Sequence, residues 1–156
     1  MPVRRHAQRR RGVMALTVAM RLEWLKPGAP ARKAFRLPGA GELYREYASR
    51  IARYCAFETT GSPAEDGIVW TCDPRGKTLS SEALAERLRG ARDGGAKSLS
   101  IRVGGPDGLA QGGILPALCW SFGPMTMPHE LAAVVAAEQL YRAWTILGGE
   151  PYHLGH

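Results

Sequence analysis

The sequence predicts an α/β fold with a mainly parallel sheet, because short apolar strands alternate with amphipathic helices along the chain. Two strand ends support this prediction. The apolar run 98–103 ends at the glycine turn 104–109, and a second run, 117–122, leads into the loop 123–127. The carboxyl ends of parallel strands form the edge at which such folds bind ligands, so these strand ends predict a pocket.

The first half of the chain supplies the first strands and one helix. An apolar run predicts a strand over 15–20, and the proline- and glycine-rich loop after it carries Arg32, Lys33 and Arg36. A helix is predicted over 42–54, because large apolar residues recur there at steps of three and four. A short strand over 55–58 and a turn-rich connection over 59–67 follow.

The second half opens with a buried strand predicted over 68–72, which should end at the turn sequence 73–77. Ser80 is expected to cap the next helix, which should end near Gly90 and bury Leu84 and Leu88.

The last helix starts sharply at a proline. Thr126 or Met127 is expected to cap it, with Pro128 in its first turn. Three residues are expected to mark its buried side: Leu131, Val134 and Val135.

Length and charge indicate one domain with a basic extension. A chain of 156 residues is long enough for a single core, which we place over 14–156. Five arginines lie within residues 1–13, and removing their charge from the formal +7 leaves +2. We expect 1–13 to be disordered and to attract phosphate, or to be an incidental extension ahead of Met14. The five are Arg4, Arg5, Arg9, Arg10 and Arg11.

Composition also excludes several classes of protein. No stretch of about 20 apolar residues exists to span a membrane, and the run 15–20 is too short for a signal peptide, so we expect a cytoplasmic protein. The cysteines Cys55, Cys72 and Cys119 are odd in number and far apart. This spacing argues against a disulfide framework and a zinc site, and it predicts reduced, buried thiols without a metal.

The glycine turn can bring backbone close to a ligand, because Gly104 and Gly105 have no Cβ. Leu109, Met125 and Met127 can form apolar walls around such a ligand. Taken alone, the turn could equally be an ordinary tight turn. A phosphate loop is excluded, because no lysine follows the turn and its glycine spacing does not fit a dinucleotide fingerprint.

The last helix carries Glu138 and Arg142, which stand four residues apart and therefore share one face. They could form an ordinary surface ion pair worth about 0.5 kcal/mol. They could instead form a site together with Tyr152 and His153, because this face of the helix leads to the tail that carries those two residues. His129 is expected to be a histidine of the helix start.

Four motifs together resemble the RlmH family of the SPOUT methyltransferases. The glycine turn 104–109, the stretch 121–131, the Tyr-Arg-Ala-Trp sequence 141–144 and the tail 151–153 occur in the family's order and at nearly its spacing. Residues 72–82 also resemble a segment of that family, with Cys72 in place of a leucine that lines the cofactor site. Two features differ: only nine residues separate Glu58 from Ile68 where the family has room for a further helix, and the first strand lacks the family's Val-Gly-Lys ending.

The resemblance implies a SPOUT-type, deeply trefoil-knotted fold with the knot in the C-terminal half. It implies an S-adenosylmethionine-dependent homodimer that methylates N3 of pseudouridine 1915 in 23S rRNA without a metal, with either the assembled ribosome or free rRNA as the substrate. The cofactor contacts it implies are Cys72, Gly104, Phe122, Gly123, Pro124, Met125, Thr126 and Met127.

For the helix and tail, the resemblance implies that Arg142 holds a phosphate, Tyr152 stacks on a base and His153 contacts RNA. Glu138, Arg142 and His153 are the catalytic candidates, and Glu138, His153 or water could accept the N3 proton. Two alternatives remain: a noncatalytic RNA-binding protein on a SPOUT scaffold, or a SPOUT enzyme that acts on tRNA.

Overall fold

The computed structural model describes residues 16–155, so the predictions for the basic segment 1–13 lie outside the described residues. Five strands form one sheet in the order β2-β1-β4-β3-β5, and every neighbouring pair is parallel. The predicted α/β class with a parallel sheet is thereby confirmed. The strands are β1 Thr17–Leu22, β2 Ala56–Thr60, β3 Ile68–Thr78, β4 Ser98–Val103 and β5 Leu118–Ser121.

Three α-helices follow the alternation that the sequence predicts. They are α1 Ala40–Ile51, α2 Ser81–Asp93 and α3 His129–Leu147, and short 3-10 helices occur at Ala31–Ala34 and His153–Gly155. Ser80 caps α2 as expected, since its side chain accepts the backbone N–H of Ala83 at 3.1 Å. Helix α2 continues past Gly90 and ends at Gly94.

All three helices pack on one face of the sheet. Alternate residues of β1 and β4, among them Met20 and Ile101, are fully buried in the same cluster as Leu88 of α2 and Leu140 of α3. Helix α3 contacts both α1 and α2, so it lies between them. Burial of these apolar side chains is the main term that stabilises the fold.

The opposite face of the sheet carries small and polar residues. Arg21 crosses it, donating from Nε to Ser100 Oγ at 2.8 Å and from Nη1 to the carbonyl of Ser62 at 2.7 Å. Ser62 belongs to the short connection between β2 and β3, which contains no helix. This face of the sheet is polar, and Arg21 forms hydrogen bonds with its polar groups. No further helix is therefore needed to bury this face.

Strand β3 is longer than the sequence predicts. The residues expected to form a turn lie inside the strand as an irregularity between Cys72 and Lys77, after which Lys77 pairs with Trp120 of β5. A Cβ on Gly76 would lie 2.4 Å from the carbonyl oxygen of Cys119, so the two backbones approach closely there. Because Cys72 and Lys77 both pair with Trp120, residues 73–76 bulge out of the strand ladder before pairing with β5 resumes.

The start of α3 also differs from the prediction. Pro128 is the N-cap residue and no side chain caps the helix, so the expected cap at Thr126 or Met127 is wrong. Leu131 is 44% exposed, because the sheet, α1 and α2 cover the other sides of α3. Its expected burial is therefore wrong, whereas Val134 is buried and Val135 is half-buried.

Candidate active site

A cavity of about 550 Å³ opens at the carboxyl edge of the sheet. The irregular part of β3, the ends of β4 and β5 and the first turn of α3 form its walls. Seven of the eight predicted cofactor contacts line it, and Pro124 lies between two of them without lining it. The seven are Cys72, Gly104, Phe122, Gly123, Met125, Thr126 and Met127.

The glycine turn after β4 forms one wall of the cavity. It is closed by the N–H of Gly108, which donates to the carbonyl of Gly105 at 2.9 Å, and Gly108 has a φ of +85°. A Cβ on Gly104 would lie 2.6 Å from the carbonyl carbon of Gly108. Gly104 is therefore required by the turn itself, because any side chain there would collide with backbone.

An ion pair holds the far end of this turn. Glu23 accepts the N–H of Ala110 at 2.7 Å, and Arg102 donates to the carbonyl of the same residue at 2.8 Å. Glu23 and Arg102 also bond each other at 2.7 Å, and both side chains are largely buried. Both polar groups of Ala110 are thus fixed, which stabilises the turn as a wall of the cavity.

The opposite wall follows β5. The hydroxyl of the buried Ser121 accepts the N–H of Gly123 at 3.0 Å and donates to the carbonyl of Pro74 at 3.0 Å, so it joins the end of β5 to the irregular part of β3. Gly123 has a φ of +114°, a conformation that favours glycine. Phe122 packs edge-on against Trp120, with ring centroids 4.8 Å apart.

The cavity combines apolar surface with charge at one end. Asp73 accepts the backbone N–H of Arg75 at 2.9 Å and pairs with its guanidinium at 3.1 Å. The hydrogen bond from the Arg75 side chain holds the pKa of Asp73 below its ordinary value. Cys72 contributes a neutral, apolar surface, because burial raises the pKa of its thiol.

The residues predicted on the last helix and tail form a second group, which we call the helix-tail cluster: Glu138, Arg142, Tyr152 and His153. Arg142 pairs with Glu138 at 3.1 Å and bonds Nδ1 of His153 at 3.1 Å. Its guanidinium lies 4.9 Å from the centre of the Tyr152 ring, and the Tyr152 hydroxyl donates to Glu138 at 3.2 Å.

The helix-tail cluster is more than an ordinary surface pair, since the Arg142 and Glu138 side chains are only 15% and 18% exposed. Burial acts to lower the pKa of Arg142, but its bonds to Glu138 outweigh burial and raise that pKa above the ordinary value. Burial and the Glu138 charge raise the pKa of the Tyr152 phenol, so it stays neutral. His153 also bonds the carboxylate of Glu82 at 2.7 Å, which ties the tail to α2.

The helix-tail cluster and the cavity are separate in one chain. His129 lines the cavity, and Arg142 lies thirteen residues further along α3, about 20 Å at 1.5 Å per residue. A groove of about 370 Å³ next to the cavity shares Trp120, Phe122 and Gly123 with it and is also lined by Gln139, whose amide donates to Glu138 at 2.9 Å. Seven of the eight predicted cofactor contacts thus line the cavity, whereas the four residues of the helix-tail cluster lie together away from it.

Sequence reasoning missed several residues that shape the cavity. Glu23 and Arg102 are 79 residues apart, and no local signal connects them. Trp24 packs edge-on against His129 at 4.5 Å. Arg75 could have been found, since it lies within a segment that the sequence already associates with the cofactor.

The cysteine predictions have mixed outcomes. Cys55 is buried and Cys72 half-buried, but Cys119 is exposed on the edge strand β5, so its expected burial is wrong.

Within residues 16–155 no group of three potential ligands could hold a metal ion. No helix in the same part of the chain is long and apolar enough to cross a bilayer.

Comparison with known proteins defines the class of this fold and site. A family model described as "Predicted SPOUT methyltransferase" matches residues 61–153. Among curated relatives, the Ribosomal RNA large subunit methyltransferase H of Deinococcus radiodurans is 38% identical over 151 residues, covering 87% of this chain and all of the relative. The protein of the same name from Xanthobacter autotrophicus is 44% identical over 110 residues, covering 70% and 68% of the two chains.

A third relative of that name, from Alkalilimnicola ehrlichii, is 39% identical over 144 residues, covering 76% of this chain and 92% of the relative. The chain therefore belongs to the SPOUT methyltransferases and, within them, to the family of these large-subunit rRNA methyltransferase H proteins. Membership implies the SPOUT trefoil knot. The knot is expected in the C-terminal half, where the chain from β4 through α3 also forms the cavity.

Proposed function

We propose that this protein is a methyltransferase that uses S-adenosylmethionine to methylate N3 of pseudouridine 1915 in 23S rRNA of the large ribosomal subunit, in the cytoplasm. Relatives named Ribosomal RNA large subunit methyltransferase H support the reaction and the substrate class. The observation that carries the proposal is the cavity at the sheet edge, where two of the family's motifs, residues 104–109 and the stretch opening α3, converge.

The residues of the cavity fit S-adenosylmethionine. A volume of about 550 Å³ lies within the range of small-molecule sites. Val103, Leu109 and Met127 offer apolar surface to an adenine ring, and the turn at Gly104 leaves backbone open to hydrogen bonding. Asp73, Arg75 and Asp107 supply both signs of charge for the amino acid part of the cofactor.

When bound, the cofactor supplies a methyl group on a positively charged sulfur. To accept that methyl group, N3 of the target base would have to give up its proton to a nearby acceptor. The protein's main task is then to hold N3 in line with the methyl group. Glu138, His153 or a water molecule could accept the proton, which would add a modest contribution.

The helix-tail cluster serves the RNA in this proposal. Arg142 holds a phosphate, Tyr152 stacks on a base, and His153 contacts RNA or orients the target ring. Glu138 fixes Arg142 and the Tyr152 hydroxyl, so the cluster is organised before RNA arrives.

A homodimer would bring the helix-tail cluster of one protomer to the cavity of its partner. The cluster lies about 20 Å along α3 from its own cavity. Large apolar side chains are exposed near both sites, namely Met125 (74%), Leu131 (44%) and Leu154 (83%), and a partner would cover them. Light scattering at micromolar concentration should therefore give twice the mass of one chain. An active monomer would contradict this arrangement.

One assay tests the reaction. Ribosomes that lack the modification are incubated with the protein and labelled S-adenosylmethionine, and the methyl group is mapped by mass spectrometry. Label on N3 of the named pseudouridine supports the proposal, whereas tight cofactor binding without transfer, or transfer to tRNA, would contradict it. Isolated 23S rRNA in a parallel reaction identifies whether the assembled ribosome is the substrate.

Two variants separate the roles of the sites. Arg142→Ala and His153→Ala should lose methylation while calorimetry shows unchanged cofactor affinity, because these side chains act on RNA after the cofactor is in place. Loss of cofactor binding with normal RNA association would show that this division of roles is wrong.

A further inference from the structure

A second cavity, of about 520 Å³, lies outside the site described above. It opens between the loop that follows β1 and the outer side of α1. Three arginines line it: Arg32, Arg36 and Arg45. Phe35 and Tyr44 form its inner wall, where their rings are 4.9 Å apart. We call this the arginine cavity.

The three guanidinium groups are available to a ligand. All three residues are exposed, and within residues 16–155 none of them forms an ion pair. The segment 26–45 contains five basic residues and a single acidic one, Glu42, which also lines the cavity. Five basic residues and one acidic residue leave this segment with a net charge of 5 − 1 = +4.

The arginine cavity is fixed against the active site by two contacts. The buried carboxylate of Glu130 accepts the backbone N–H groups of Arg36 and Leu37 at 2.7 and 2.9 Å. Glu130 follows His129, which lines the cofactor cavity.

Trp24 makes the second contact. Its Nε1 donates to the carbonyl of Ala34 at 2.7 Å, and its ring packs against His129. The loop that carries Arg32 and Arg36 is therefore held against Trp24 and the first turn of α3, next to the cofactor cavity.

We infer that the arginine cavity binds a phosphate of the RNA segment that flanks the target base. This inference rests on the proposed function, because it takes the RNA substrate as its ligand. Guanidinium groups bind phosphate oxygens through paired N–H donors, and phosphate contacts set the register of a nucleic acid on a protein. A flanking phosphate held here would fix which base reaches the cofactor cavity.

The test compares two triple variants that remove the same charge from the full-length protein. The first carries Arg32→Gln, Arg36→Gln and Arg45→Gln. The control carries Arg87→Gln, Arg89→Gln and Lys97→Gln, which are exposed residues of α2 and the segment after it. Binding to unmodified ribosomes is measured over a range of salt concentrations, together with methylation kinetics and cofactor affinity. Circular dichroism and thermal unfolding check the fold of each variant.

The cavity variant should raise the KM for ribosomes at least tenfold and leave cofactor affinity unchanged. Its slope of log affinity against log salt should flatten by about 0.7 to 0.9 for each phosphate that the variant no longer binds, and the control should change much less. Equal changes in both triple variants would overturn the inference, since charge alone would then explain binding. Normal behaviour of the cavity variant would overturn it as well.

The wild-type reaction separates this inference from the proposed function. If wild-type protein methylates ribosomes and the cavity variant matches it, the inference alone fails. If wild-type protein methylates no ribosomal RNA, the proposed function fails and the inference fails with it. Should the triple variant unfold, the single variant Arg45→Gln on the solvent side of α1 gives the same comparison against Arg87→Gln.

Discussion

The backbone N–H of Arg36 donates to the buried carboxylate of Glu130 at 2.7 Å, across 94 residues of sequence. The carboxylate oxygen that accepts it also accepts the N–H of Leu37. This pair of bonds links the loop that follows β1 to the first turn of α3. One side chain thereby positions a basic loop against the edge of the candidate active site.

Replacing Glu130 should destabilise the fold. Glu130→Ala leaves two backbone donors without their acceptor, and hydrogen bonds to a charged group contribute about 1.5 to 3 kcal/mol. Urea unfolding should show a free energy of unfolding lower by about 2 kcal/mol or more. Glu130→Gln keeps an acceptor oxygen and should lose less. A Glu130→Ala protein within about 0.5 kcal/mol of wild type would show that the loop is held mainly by other contacts.

A methyl group at Gly104 should weaken cofactor binding. A Cβ there would lie 2.6 Å from backbone of Gly108, so Gly104→Ala must displace the turn that walls the cavity. Calorimetry should show cofactor affinity at least tenfold lower in a folded protein.

Gly90→Ala is the matched control for that variant, because a Cβ on this helical residue meets nothing within 4 Å. It should raise the free energy of unfolding by up to about 1 kcal/mol and leave cofactor affinity unchanged. Unaltered affinity in Gly104→Ala would remove this turn from the cofactor site.

Local pattern predicted much of the fold, and long-range pairing explains where it failed. Strand β4 was predicted with its observed ends, because its apolar run is bounded by a glycine turn. The irregular part of β3 was predicted as a turn, because nothing in Asp73 to Lys77 reveals that β5 pairs alongside. Leu131 was expected to be buried because helical spacing does not show which sides of α3 its neighbours leave open.

The candidate site shows the same limit. The family resemblance, rather than local pattern, indicated the predicted cofactor contacts, which lie on β3 and after β4 and β5. The helix-tail cluster was indicated by the four-residue spacing of Glu138 and Arg142 and by the tail that follows the same helix. Glu23 with Arg102 and Glu130 with Arg36 could not be predicted, since each pair joins residues at least 79 positions apart. Their partners are set by the sheet order, which a single sequence does not reveal.

The three cysteines should differ in reactivity. Burial raises the pKa of the Cys55 thiol to about 12, and burial also raises that of Cys72, so both remain in the unreactive thiol form at neutral pH. Cys119 is exposed. Mass spectrometry after brief treatment of native protein with iodoacetamide should find label on Cys119 first, and unfolding in urea should make all three react. Early labelling of Cys72 would show that the cavity wall opens in solution.

The contact between Glu82 and His153 should make attachment of the tail depend on pH. The hydrogen bond to His153 holds the pKa of Glu82 below its ordinary value, so the contact favours the ionised carboxylate. The stabilisation that this contact gives to the attached tail is fully present above the ordinary pKa of glutamate. It is lost as the pH falls through the lowered pKa of Glu82 in the folded state. In an NMR titration, His153→Ala should therefore move the pKa of Glu82 upward. Asp93 is the internal control, because Arg92 lowers its pKa and the substitution should leave it unchanged. An identical Glu82 titration in both proteins would mean that the tail does not rest on α2 in solution.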